Sequence, residues 1–233
     1  MSNAGECRSS RMAAERKPSA VELGTDLCRY RTDEHVFLRQ QQALARHFAG
    51  ASGPILDLGC GRGTMLQILK ARGIDCYGVD AFGPALEVCR ARRLEVVDSD
   101  VFSHLRGLQE DSIGGIFCSH LIEHLAPAEA LTLLRESYRV IKPGGALVIV
   151  TPNPRDLRVL TDIFWLDLSH VRFYPAGLLG PILKEAGFSS AESYEDKHTR
   201  YSGALHRRIA GFIRRVCLWG YTNRGDVVAV GRK

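Results

Sequence analysis

Residues 55 to 66 read ILDLGCGRGTML, and they hold the most chemistry in the chain. Asp57 precedes three glycines at alternate positions, Gly59, Gly61 and Gly63, with Cys60 between the first two. Glycine has no Cβ, so a turn made from it lets the backbone approach a ligand closely. The apolar run before the turn suits a buried strand. The residues after it suit a helix whose free N–H groups and positive dipole end face that ligand. A dinucleotide pyrophosphate would call for G-x-G-x-x-G, and the third glycine would then fall at Thr64. An anionic pyrophosphate also gains nothing from a carboxylate at Asp57, whereas a sulfonium or ammonium does. The pattern points to a cationic ligand.

A second acid, Asp80, closes the run CYGVD about twenty residues after the glycines, where a carboxylate can accept hydrogen bonds from two ribose hydroxyls. VVDSDVF offers Asp100 and Asp98 after a third apolar run. The whole pattern, D-x-G-x-G-x-G followed by Asp80 and Asp100, resembles the class I S-adenosylmethionine-dependent methyltransferases. The later stretches IFCSHLIEHL and LLRESYRVIKPGGALVI resemble further motifs of that family, so the likeness runs from about residue 27 to residue 232. The resemblance implies that S-adenosylmethionine binds through Asp57, Gly59, Cys60, Gly61 and Gly63. It implies that Asp80, with Ala81, holds the ribose. It places the adenine at Asp100 and the backbone of Val101, and adds Ser119, Tyr30 and Arg39 to the same pocket.

The acceptor side is less sharply marked. Ligands gather at the carboxyl ends of strands in open α/β sheets, which brings forward His120 as a base or substrate contact. His170 and Arg172 follow, in SHVRFY. The stretch LDLSHVRFYPAGLLGPILKEAGF, with Tyr30-Arg31 and Arg39-Gln40 upstream, resembles a bacterial subgroup that includes methyltransferases of surface-polysaccharide and O-antigen assembly. That resemblance implies O-methylation of a saccharide or other small-molecule acceptor. Residues 120–124 spell H-x-x-E-H, a zinc-peptidase pattern in another setting. They also resemble the E-x-x-E-H stretch through which ubiquinone-biosynthesis O-methyltransferases bind a divalent metal. Here His120 replaces the first Glu, and no metal is expected.

These residues need a scaffold. Asp33–Gly50 has helical spacing, with Asp33 as an N-cap. Short apolar runs at Ile55–Leu58, Cys76–Val79, Leu94–Val97, Ile113–Cys118 and Ala146–Thr151 suit buried parallel strands. Helical segments at Gly63–Arg72, Pro84–Arg93, Val101–Leu108 and Pro127–Ile141 alternate with them, which predicts a parallel sheet covered on both faces. Lys142–Gly145 reads as a tight turn. A helix over Pro175–Ala186 and strands over Phe188–Glu195 and Asp226–Arg232 complete the pattern. Together with the resemblance this gives an α/β, Rossmann-like, doubly wound, seven-stranded and mostly parallel sheet, its last strand antiparallel. An N-terminal helix and insertions would form a substrate cap.

The expected organisation is a flexible tail over 1–26 and one methyltransferase domain over 27–233, capped by an insert (152–175) and a basic helix (202–220). Within the latter, residues 204–220 alternate arginines with apolar residues. They fit a capping helix, or peripheral contact with a membrane or lipid-linked substrate.

Composition narrows the class. The chain has 233 residues, 45% of them hydrophobic and 24% charged, and a net charge of +5. No apolar run reaches the roughly 18 residues that span a bilayer. The seven scattered cysteines form no C-x-x-C pair, which suits a reducing cytoplasm. DNA base methylation would want an Asp/Asn/Ser-Pro-Pro-aromatic run after the fourth strand; the chain has Ser119-His120-Leu121-Ile122 there, so DNA is not an expected partner. Methylation of RNA, or binding of the cofactor without turnover, stand as the alternatives.

Overall fold

A computed structural model describes residues 34–196 and 225–233. The tail, Tyr30, Arg31, Asp33 and the basic 202–220 segment lie outside the described residues. Helix α1 (Glu34–Leu44) continues into a 3-10 turn, Ala45–Phe48. Then β1 (Ile55–Leu58), α2 (Thr64–Ala71), β2 (Cys76–Asp80), α3 (Gly83–Ala91), β3 (Val96–Asp98), α4 (Val101–Gly107) and β4 (Ile113–Ser119) alternate. A 3-10 turn at Ile122–His124 precedes α5 (Pro127–Val140) and β5 (Ile141–Thr151). The insert holds α6 (Leu157–Thr161) and a 3-10 turn, Ile163–Leu166; α7 (Ala176–Glu185), β6 (Ser190–Glu195) and β7 (Val227–Arg232) follow.

The seven strands lie in the order β3-β2-β1-β4-β5-β7-β6. All pairings are parallel except those of β7, which runs antiparallel to both β5 and β6. The order reverses between β1 and β4, so a cleft opens at their carboxyl ends, where ligands bind in such sheets.

Strand residues alternate between two cores because successive side chains point to opposite faces. Leu56, Leu58, Ile116, Cys118, Leu147 and Ile149 pack with Leu105, Leu133 and Leu179 from α4, α5 and α7. Ile55, Phe117, Val148 and Val150 pack with Leu44, Phe48, Met65 and Leu69 from α1, its 3-10 turn and α2. Burial on both faces explains why the central strands read as unbroken apolar runs. Asp57 shares the parity of Ile55 and so lies on the α1–α2 side.

Several boundaries differ from expectation. The third strand is Val96–Asp98 rather than Leu94–Val97, because Leu94 instead packs with Leu86 and Cys89 of α3. Ile141 belongs to β5 and not to the preceding helix, since it pairs with Ile113. Lys142–Gly145 is not a separate turn but part of β5, where the register with β4 shifts between Ile113 and Gly115. There Gly144 takes φ +82°. Val101–Gly107 is a helix held by its Asp100 N-cap.

Candidate functional site

The turn after β1 uses its glycines for their backbone. Gly59, Gly61 and Gly63 take φ of +69°, +52° and +75°, a region where side-chain-bearing residues are disfavoured. A Cβ at Gly63 would also sit 2.5 Å from Leu94 Cδ1 and 2.9 Å from Cys89 Sγ. The turn is bolted to the neighbouring strand: the Gly59 and Cys60 N–H groups donate to Val79 O at 2.9 and 3.1 Å. Asp80 completes the arrangement, its Oδ2 accepting from Gly61 N and its Oδ1 from Phe82 N, both at 2.8 Å.

Asp57 is buried beside this turn, and no hydrogen bond or ion pair engages its carboxyl among the described residues. Burial, then the charge of Asp80, push its pKa up to about 8. Burial likewise pushes the Cys60 thiol far up, which opposes formation of a thiolate.

Asp57, Gly61, Ser119 and His120 line one cavity together with Phe37 and Gln41 of α1. Ser119 Oγ and Gln41 Oε1 are buried there with no hydrogen-bond partner. Buried polar atoms normally find partners. A cavity with a bare backbone turn, an unpaired acid and two orphaned polar atoms fits a polar, cationic ligand such as S-adenosylmethionine.

Asp100 lies at the third strand's end and is exposed. Its Oδ1 accepts from Phe102 N at 3.1 Å and Ser103 N at 2.9 Å, so it is at least the N-cap of α4. Ala81 is exposed next to Asp80, and Val101 packs partly into the core. Arg39 points outward from α1, while its neighbours Gln40 and Gln41 turn inward.

Of the three acceptor-side candidates, only His120 lines the cavity. Its φ is +52°, rare for a residue with a side chain. Its Nδ1 lies 3.1 Å from Glu123 Oε1, and its Nε2 lies 3.6 Å from Asp226 Oδ2. Burial disfavours a charged ring, but the carboxylates of Asp226 and Glu123, which accept from it, outweigh that and push the pKa up to about 10. Glu123 is buried, which favours its neutral form, yet the His120 ring holds its pKa below the ordinary carboxylate value.

His170 and Arg172 belong to the insert. His170 stacks on Phe164 with ring centroids 4.4 Å apart, and its Nδ1 lies 2.6 Å from Phe164 O. A carbonyl only accepts, so Nδ1 carries the proton. Arg172 is exposed, its guanidinium 5.1 Å from the Tyr174 ring centroid. The insert is tied to Glu123 through backbone, since the Val171 and Arg172 N–H groups donate to Glu123 O at 2.8 and 3.3 Å.

Donor atoms of Glu123, His124 and His170 lie within 4.8 Å of one another. However, Glu123 already accepts at both oxygens, from His120 and from Thr151 Oγ1 at 3.1 Å. His124 Nδ1 is paired with Ser169 Oγ, which in turn donates to Asp167. These hydrogen bonds orient the three side chains relative to one another.

Three contributors were missed in sequence: Phe37, Gln41 and Asp226. Gln40 donates through Nε2 to Asp226 Oδ2 at 3.2 Å. The signal for the glutamines was present. Val36–Gln40 and Phe37–Gln41 are each four apart, so both glutamines extend the buried stripe of α1.

A seven-stranded sheet in this order, with a glycine turn at its switch point and an acid ending the second strand, is the class I S-adenosylmethionine-dependent methyltransferase fold. Residues 30–193 match the methyltransferase domain family, and the chain belongs to it. A SAM-dependent methyltransferase of Archaeoglobus fulgidus superposes with a TM-score of 0.73 at 25% identity, covering 86% of this chain and 95% of that one. A ubiquinone biosynthesis O-methyltransferase of Alkalilimnicola ehrlichii is 30% identical over 105 residues, 42% of this chain and 41% of that protein. A carboxy-S-adenosyl-L-methionine synthase of Yersinia enterocolitica is 31% identical over 114 residues, 46% of this chain and 43% of that protein. The chain thus spans well under half the length of these two curated relatives.

Proposed function

We propose that this chain transfers a methyl group from S-adenosylmethionine to a hydroxyl of a saccharide or related small acceptor. The observation that carries the cofactor half is the cavity itself: a left-handed glycine turn flanked by the buried Asp57 and by Asp80. The oxygen acceptor is supported by the name of the Alkalilimnicola relative, an O-methyltransferase. The saccharide class rests on the SHVRFY resemblance.

When bound, S-adenosylmethionine supplies an electrophilic methyl group. Asp57 offers a charge opposite to the sulfonium, and Asp80 offers its remaining lone pairs to the ribose. Asp100 faces the adenine side from the start of α4. Phe37 and Met65 line the cavity and help exclude water. His120 stands at the acceptor side, with His170 and Arg172 of the insert behind it. Catalysis of such a displacement is mainly positioning, so the site needs no covalent intermediate.

No helix among the described residues is long and apolar enough to cross a membrane. We read the whole 27–233 segment as one catalytic unit working in the cytoplasm without a metal. The test is release of S-adenosylhomocysteine against a panel of sugars, nucleotide sugars, phenols and carboxylic acids. Turnover only with phenols would overturn the saccharide reading, and no turnover with tight cofactor binding would leave a binding protein. Retarded tRNA in a gel shift that weakens steeply with salt would favour RNA instead.

A further inference from the structure

We propose that Asp226, itself held by Gln40, is a positioning residue that fixes His120 as a doubly protonated cation at the wall of the cofactor cavity. The geometry carries this. His120 Nδ1 faces Glu123 Oε1 at 3.1 Å, and Nε2 faces Asp226 Oδ2 at 3.6 Å. A neutral imidazole has one N–H and so can donate to only one of two carboxylates, whereas an imidazolium satisfies both. The backbone leaves the ring little choice of place. His120 is held in the left-handed region, and its N–H donates to Val150 O at 2.9 Å.

The two carboxylates are themselves braced. Glu123 Oε2 accepts from Thr151 Oγ1 at 3.1 Å, and Asp226 Oδ2 accepts from Gln40 Nε2 at 3.2 Å. The ring therefore sits in a line of polar contacts joining α1, the end of β4, the Ile122–His124 turn, the end of β5 and the residue before β7. Asp57 faces the same cavity from β1, and His124 adds its field at Glu123. The consequence for chemistry is a change of role. A ring that already holds both protons is a donor and fixed charge for an acceptor oxygen, not a base that takes its proton.

The role in turnover rests on the methyl-transfer reading, but the charge state does not, and the experiment separates them. The full chain carrying 13C-labelled histidine is titrated by NMR, with His120→Gln identifying the resonance. The expected result is a His120 still protonated at pH 8, more than tenfold beyond an ordinary imidazole with its midpoint of about 6.5. Asp226→Asn should bring the midpoint down by at least one pH unit, and Gln40→Ala should lower it by less. A wild-type His120 that titrates near the ordinary value overturns the proposal, as does an Asp226→Asn midpoint unchanged from wild type. Should Asp226→Asn fail to fold, the wild-type and Gln40→Ala titrations decide it, and no shift in Gln40→Ala then overturns it. Failure of every acceptor to turn over would count against methyl transfer and leave the titration standing.

Discussion

Asp80 Oδ2 accepts a hydrogen bond from the Gly61 N–H at 2.8 Å, so the acid that ends the second strand also holds the glycine turn that follows the first. One carboxylate thus shapes the turn, and in the proposed reading it also holds the ribose. Asp80→Ala removes both effects. A charge-assisted hydrogen bond contributes about 1.5–3 kcal/mol, so loss of the ligand's and the turn's partners should weaken S-adenosylhomocysteine binding roughly 100-fold or more. Calorimetry reads this directly. Affinity within threefold of wild type would remove Asp80 from the site.

Asp57 gives a pH prediction with a definite sign. Its folded pKa of about 8 lies above the carboxylate value of 3.8 that the unfolded chain shows. The folded state therefore keeps a proton that the unfolded state releases. The associated stability is whole below pH 4 and is lost as pH climbs through 8. Asp57→Asn removes this loss, so it should stabilise the protein by about 1–2 kcal/mol at pH 9, a few degrees in Tm. At pH 4 the two proteins should melt together. The same variant should bind S-adenosylmethionine poorly, because the carboxylate is what a sulfonium gains from. In the wild type, S-adenosylmethionine should bind more tightly at pH 9 than at pH 7, and uncharged-sulfur S-adenosylhomocysteine should change less. Equal pH dependence of the two ligands would contradict the pairing of acid and sulfonium.

Asp100 serves the α4 cap with Oδ1, and its proposed adenine contact is a separate duty. Asp100→Ser keeps a capping oxygen and should leave Tm near wild type. Asp100→Ala should cost about 1 kcal/mol of stability. Both should weaken cofactor binding by a similar factor of about 5, the worth of one hydrogen bond near 1 kcal/mol. If Asp100→Ser binds the cofactor as well as wild type, Asp100 is only a cap.

Gly63 carries two independent demands, a φ of +75° and no room for a Cβ against Leu94 and Cys89. Gly63→Ala should destabilise the fold by about 2–4 kcal/mol, from backbone strain and overpacking together. Urea unfolding measures it. By contrast Gly61→Ala meets no atom within 4 Å, and only the φ of +52° opposes it. It should cost about 1–2 kcal/mol, and its larger effect should be on cofactor affinity.

His120→Ala should leave cofactor binding intact and slow turnover. The direction of the wild-type pH–rate profile matters more than the size of that loss. A fixed cation predicts activity that falls as pH passes about 10, where the ring loses its extra proton. A general base predicts the opposite limb.

Much of this site could be read from residue order alone, for local reasons. The glycine turn, Asp57 and Asp80 lie at strand ends that are fixed by short apolar runs, and the runs are apolar because both sheet faces are covered. The Asp226 partner of His120 was hidden because it is distant in sequence. Gln40 and Asp226 are 186 positions apart and meet only once β7 has inserted beside β5. A run of three glutamines also looks like a solvated surface until the helix phase is set by Val36 and Leu44. Ile141 joined the strand for the same kind of reason, because pairing with Ile113 outweighed its place in the helical pattern.

The cavity draws its walls from α1, β1, the glycine turn and the end of β4, segments brought together only by the folded sheet and its covering helices. A molecule seated there acts as a staple across the centre of the fold. Saturating it should slow amide exchange well beyond the contacting residues, most of all in β1 and β4, because opening either strand would first require the staple to leave.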